Sequence, residues 1–136
     1  RLARIEYASG NLDAAEEDLH DVIATLDPLL PPDHALRTQF DVMRGMIAKA
    51  RGDLASAQQA YEAAEARPLP VPLEAAIVRM HLAGVLLARG DLAAARAKLD
   101  ASQPILEAAL LPEAVEVVEA RGYAADLASR ERATRR

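Results

Sequence analysis

A chain of 136 residues with a net charge of −5, eight prolines and no cysteine has room for one domain with a core, and its composition excludes thiolate catalysis, cysteine-built zinc sites and a disulfide framework. The acidic balance argues against a phosphate-backbone binder, which draws its affinity from Lys and Arg. No apolar stretch approaches the roughly 20 residues that cross a bilayer, and the start lacks the basic-then-apolar order of a signal peptide. These features predict a cytoplasmic location and neither nucleic acid nor membrane as partner. Arg130, Arg132, Arg135 and Arg136 are expected to form a solvated, frayed terminus. The chain opens at Arg1 without a methionine, inside a helical pattern of Leu2, Ile5 and Tyr7, which predicts a segment of something longer.

Helix-forming Ala, Leu, Glu and Arg dominate, and aromatic residues make up 3%, so helices are expected throughout. In chain order they are predicted at 2–9, 12–26, 33–51, 54–67, 72–89, 92–102 with a kinked extension near Pro104, and 112–130. Pro28, Pro31 and Pro32 separate the first hairpin from the second, Pro68, Pro70 and Pro72 the second from the third, and Pro112 is expected to open the last helix. In the third helix, Leu36, Phe40, Met43, Ile47 and Ala50 share one apolar face.

The helices are punctuated by a repeat. Ala50-Arg51-Gly52-Asp53-Leu54-Ala55-Ser56-Ala57 is echoed by Ala88-Arg89-Gly90-Asp91-Leu92-Ala93-Ala94-Ala95, with a third copy at Ser9-Gly10-Asn11-Leu12-Asp13-Ala14-Ala15 and a degenerate fourth at Ala120-Arg121-Gly122-Tyr123. Glycine takes the left-handed conformation that ends a helix, and the Asp or Asn after it caps the next one. Gly10, Gly52 and Gly90 therefore mark tight hairpin turns. Five, nine and twelve positions after them stand Ala15, Leu19 and Val22; Ala57, Tyr61 and Ala64; and Ala95, Leu99 and Ser102. Alternating small and large residues on one face let two helices approach closely. Gly45, seven before Gly52, is a further close-approach site.

At these residues the chain resembles the tetratricopeptide repeat family, in which a glycine at the turn is followed by a small, an aromatic and a small residue at the same offsets; Gly45, Gly52, Ala57, Tyr61 and Ala64 match throughout. The family's repeat is about 34 residues long. Here the glycines stand 42 and 38 apart, and with Leu30-Pro31-Pro32-Asp33-His34 between hairpins the chain looks like the longer kinesin-light-chain type. The resemblance covers about residues 1–110 and implies an all-α, right-handed superhelical stack of antiparallel helical hairpins with 3 to 3.5 repeats. It divides the chain into a partial first hairpin (1–30), a second (32–68), a third (71–110), and either a capping helix or a degenerate fourth hairpin (112–136), where Leu127 and Glu131 depart from the pattern.

No constellation for chemistry stands out. Of the three histidines, His20, His34 and His81, the last lacks partner ligands three or four positions on, no glycine-rich phosphate loop occurs, and Glu16, Glu17, Asp18 and Asp21 point in different directions around a helix. Neither enzyme activity nor a cofactor or metal is expected. His34 is expected in a first helical turn behind an acidic cap.

The resemblance instead implies a concave groove lined by the first helix of each hairpin, with Gln39, Val42, Met46 and Lys49 from the second and Ile77, Met80, Gly84 and Leu87 from the third. Methionine suits an adaptable surface, although at helical spacing it also serves as core. Lys49 is present, but the chain's single asparagine is Asn11, so a clamp for a C-terminal carboxylate is not expected. An apolar groove bounded by Arg44, Arg79 or His81 would accept a helix or an extended segment of a protein or peptide. The expected role is protein interaction within a bacterial signalling or regulatory protein, such as a kinase or transcription regulator, with an attached domain of the same polypeptide as one possible partner. The alternative is self-association, such as a homodimer, through exposed terminal repeats.

Overall fold

The structure is a computed structural model that describes residues 11–135. The expected helix at 2–9 and the turn at Gly10 lie outside the described residues. Six α-helices follow: α1 (Leu12–Leu26), α2 (Ala35–Ala50), α3 (Leu54–Ala66), α4 (Pro72–Ala88), α5 (Leu92–Ala109) and α6 (Val115–Thr134), with a 3-10 turn at Asp27–Leu29. Among the described residues there is no strand. Two compact units meet between Pro68 and Leu69.

The turns form as their residues dictate. Gly52 and Gly90 adopt φ of 82° and 85°. Around each, the glycine N–H donates to a carbonyl three residues back, Lys49 or Leu87, and the following Asp N–H to one five residues back, Ala48 or Leu86. This double closure satisfies carbonyls that the ending helix leaves open. The same aspartates start the next helix: Asp53 accepts from the Ser56 N–H at 3.1 Å and Asp91 from Ala94 at 3.2 Å, as Asn11 does from Ala14 at 3.2 Å.

In the first unit, α1 packs on α2 through Ala15, Leu19, Phe40 and Ile47, with Ile23, Leu26, Leu30 and Met43 around them. α3 lies against the opposite side of α2. A Cβ on Gly45 would stand 2.4 Å from the Tyr61 ring, so glycine is what permits this approach. The proline-rich connection is held by Arg37, whose guanidinium donates to the carbonyls of Pro31 (2.9 Å), Leu30 (2.8 Å) and Asp27 (3.2 Å).

In the second unit α4 is the most enclosed helix, with ten buried residues. Met80 and Ala76 pack with Leu106 of α5 and with Val117 and Ala120 of α6. The small-large-small pattern is enclosed in two of its three copies: Ala57, Tyr61 and Ala64, and Ala95, Leu99 and Ser102, are all buried, whereas Val22 of α1 is exposed. The buried Ser102 hydroxyl donates to the Lys98 carbonyl at 2.8 Å.

Three boundaries differ from expectation. α5 continues to Ala109 with Pro104 inside it; Asp100, whose carbonyl loses its helical partner, is exposed together with Pro104, so water can serve that carbonyl. Pro112 does not open the last helix. It is the second residue of a turn closed by the Ala114 N–H on the Leu111 carbonyl at 3.0 Å, and Pro32 occupies the same place in a turn closed by His34 on Pro31 at 3.1 Å. α6 then runs through Gly122 without a break to Thr134, because an interior glycine costs only about 1 kcal/mol and Val117, Ala120 and Leu127 anchor both sides.

Opposite responses to alanine should separate the glycines. Gly52→Ala and Gly90→Ala should each lower stability by about 1–2 kcal/mol through the left-handed backbone. Gly122→Ala, where a Cβ meets nothing within 4 Å, should raise it by about 0.5–1 kcal/mol. Urea unfolding reads both.

Candidate functional site

Two sides of α2 are covered. Phe40 and Ile47 pack toward α1, and Gly45 receives Tyr61 of α3. Asp41, on the α3 side, has its side chain only 6% exposed; it accepts from Arg44 at 3.0 Å and from Arg67, the cap residue of α3, at 2.6 Å. The side that remains carries Gln39, exposed, and Met46 and Lys49, partly exposed, and it is bordered on the α1 side by the exposed Leu36 and the partly exposed Met43. Their spacing places Leu36, Gln39, Met43 and Met46 in one stripe.

The expected groove set divides accordingly. Gln39, Met46 and Lys49 reach the surface; Val42 does not. The α4 residues correct the expectation more sharply. Met80 is 0% exposed, Leu87 is buried, and Ile77 packs on the core of its unit. The cause is α6, which lies over this stripe: Val117 and Ala120 pack with Met80, a Cβ on Gly84 would meet the Tyr123 ring at 2.5 Å, and Arg130 donates to the Leu87 carbonyl at 2.8 Å. Arg130 thus helps close the end of α4, a second correction, since it was expected in a frayed tail. Arg79 and His81 are partly buried.

A crevice of about 470 Å³ opens among α1, α2 and α3, lined in part by Glu16, Asp41, Arg44, Arg51 and Asp53. Its charges answer one another. Arg51 bridges Asp13 at 2.5 Å and Glu16 at 2.7 Å, and these contacts, the Asp13 hydrogen bond foremost, raise the pKa of its guanidinium. Paired in this way, the groups join helices and present little uncompensated charge to a ligand. Among the described residues no three His, Asp or Glu side chains cluster to hold a metal ion. His34, not Asp33, caps α2: its Nδ1 accepts from the Leu36 N–H at 3.1 Å.

The roles of Arg37, Asp41 and Arg67 were not legible beforehand. A carboxylate amid the apolar residues of α2 was the available signal for Asp41; nothing in the spacing pointed to its partner 26 residues away.

The residues 42–109, half of the chain, match the tetratricopeptide repeat family. The chain belongs to the tetratricopeptide repeat family. No curated protein and no solved structure shows significant similarity to it. The match begins within α2 and closes at the end of α5, so it takes in both glycine turns. Tetratricopeptide repeats are a non-catalytic module that generally mediates protein–protein interaction, and the all-helical architecture with packed neighbouring helices agrees with that assignment. Among the described residues no helix is long and apolar enough to cross a membrane.

Acid should loosen the second unit of this repeat protein. The hydrogen bond from Arg96 holds the Glu131 carboxyl below its ordinary pKa, and Arg121, followed by Gln103, does the same for Glu107. A depressed folded-state value means the contribution is complete above the ordinary carboxylate range and disappears as pH falls through the lowered value. Glu131→Gln should therefore lower the melting temperature modestly at pH 7, with the difference from the parent shrinking toward pH 3 in a thermal melt series.

Proposed function

We propose that the chain is a protein-interaction module that takes a partner protein or peptide on the open stripe of α2, with Leu36, Gln39, Met46 and Lys49 as the contacting residues. The observation that carries this reading is the contrast between the two inner faces: the α4 stripe is covered by α6, whereas the α2 stripe leaves Leu36, Gln39 and part of Met46 at the surface. Flexible, polarizable methionine flanked by one amide and one ammonium group suits an amphipathic segment whose apolar side lies along the helix and whose polar edge is fixed by Gln39 and Lys49.

The long glycine spacing supports the kinesin-light-chain-like subtype. In such a setting the module belongs to a cytoplasmic bacterial signalling or regulatory protein, recruiting a partner or restraining an attached kinase or transcription-regulator domain. Self-association is the second reading, and the exposure of Val115 and Val118 on α6 favours it as an additional property.

The direct test is affinity capture with the parent and with Met46→Glu, its helicity checked by circular dichroism. The reading expects a protein retained by the parent and lost by the variant. Capture of the same proteins by both would place the contact elsewhere.

A further inference from the structure

α2 and α6 begin with the same proline turn, and Pro32 corresponds to Pro112. In that register the positions of α2 enclosed on its α3 side, Thr38, Asp41, Val42 and Gly45, correspond to Val118, Arg121, Gly122 and Ala125 of α6. The first set is buried and the second exposed. The opposite side behaves alike in both: Phe40 and Ile47 correspond to Ala120 and Leu127, and all four are buried. α6 is thus a first helix of a hairpin whose second-helix side is open among the described residues.

That open side is a seam. Val115, Val118, Gly122, Ala125 and Ser129 follow one another at alternating steps of three and four, the spacing of a helix-pairing stripe, and all are exposed, Val115 at 67% and Val118 at 57%. The large residues occupy the N-terminal half and the small ones the C-terminal half. A Cβ on Gly122 would meet nothing within 4 Å, so there is room above it.

We propose that this face docks against the same face of a second copy of the chain, with the two α6 helices antiparallel. In this pairing Val118 of each copy sits on Gly122 of the other, Val115 lies opposite Ala125, and Leu111, exposed at the preceding turn, reaches toward Ser129. The stripe is complementary to itself only in this orientation, since a parallel pair sets valine on valine and leaves a gap between glycines. Large-on-glycine packing is how this chain already joins its helices, at Gly45 with Tyr61 and at Gly84 with Tyr123. Arg121, beside the seam, comes already paired with Glu107 of its own α5 at 3.1 Å. The contact is isologous and closed, so it stops at a dimer. It is also short, with four layers along one helix, and so belongs to the weak, exchanging class. It uses none of the α2 surface and stands or falls separately from it.

Light scattering and sedimentation of the full chain over a wide concentration range should show a mass rising from one copy to two, and Val118→Glu should stay at one copy with unchanged helicity. Because the chain has no cysteine, register can be read by cross-linking. Val115→Cys with Ala125→Cys should oxidise to a linked dimer, whereas Val115→Cys alone should not, since the two copies of that residue lie about 15 Å apart along the pair at 1.5 Å per residue. A single-copy mass at every concentration, a dimer that survives Val118→Glu, or equally ready linking by the single variant overturns the proposal.

Discussion

Two pairs of helices in this chain come together where a tyrosine ring meets a glycine. Gly45 with Tyr61 joins α2 to α3, and Gly84 with Tyr123 joins α4 to α6; in both, a single added methyl would stand under 3 Å from ring carbons. Interiors are packed too densely to absorb such an overlap without moving a helix. The pairing therefore sets the distance between helices, and with it which faces are covered. Where the chain uses a different size at the place of Gly45 and Tyr61, it uses Ala83 and Leu99, both buried. The smaller ring substitute accompanies the larger small residue.

From this constraint the surface follows. Once Tyr61 draws α3 onto one side of α2, and Phe40 with Ile47 draws α1 onto another, the side bearing Gln39 and Met46 is left uncovered by either helix. Once Tyr123 draws α6 onto α4, the equivalent α4 stripe is spent on the core, and the open side moves to α6. Ion pairs then fix the arrangement at its edges: Asp41 with Arg67, Arg51 with Asp13 and Glu16, and Arg96 with Glu131. These are junctions between helices; the exposed Arg51 pairs contribute modestly to stability, whereas the Asp41 carboxylate is buried and depends on its arginine partners.

Most of the helices were legible in the sequence, because their start and stop signals are local. Gly52-Asp53 and Gly90-Asp91 place two turns to the residue, and α1 covers the span expected of it. The turn at Pro112 was misjudged since proline serves equally in the first turn of a helix and at the second position of a β-turn. The candidate surface was legible only in part. Periodicity assigned Gln39, Met46 and Lys49 of α2 to the same positions as Ile77, Gly84 and Leu87 of α4, and by spacing alone they are equivalent. What separates them is α6, a tertiary contact between residues about 40 apart in sequence, as in Met80 with Val117 and Ala120, and no local signal carries that information.

A double-mutant cycle on Gly45 and Tyr61, followed by urea unfolding, tests the governing constraint most directly. Gly45→Ala alone should destabilise the chain by about 1–3 kcal/mol, the usual range for overpacking. With Tyr61→Leu already in place, as at Ala83 and Leu99, the same change should cost nothing or become stabilising, because alanine is the better helix former by about 0.5–1 kcal/mol. An equal loss in both backgrounds would mean that the ring does not set the spacing, and the account of which faces stay open would fail with it.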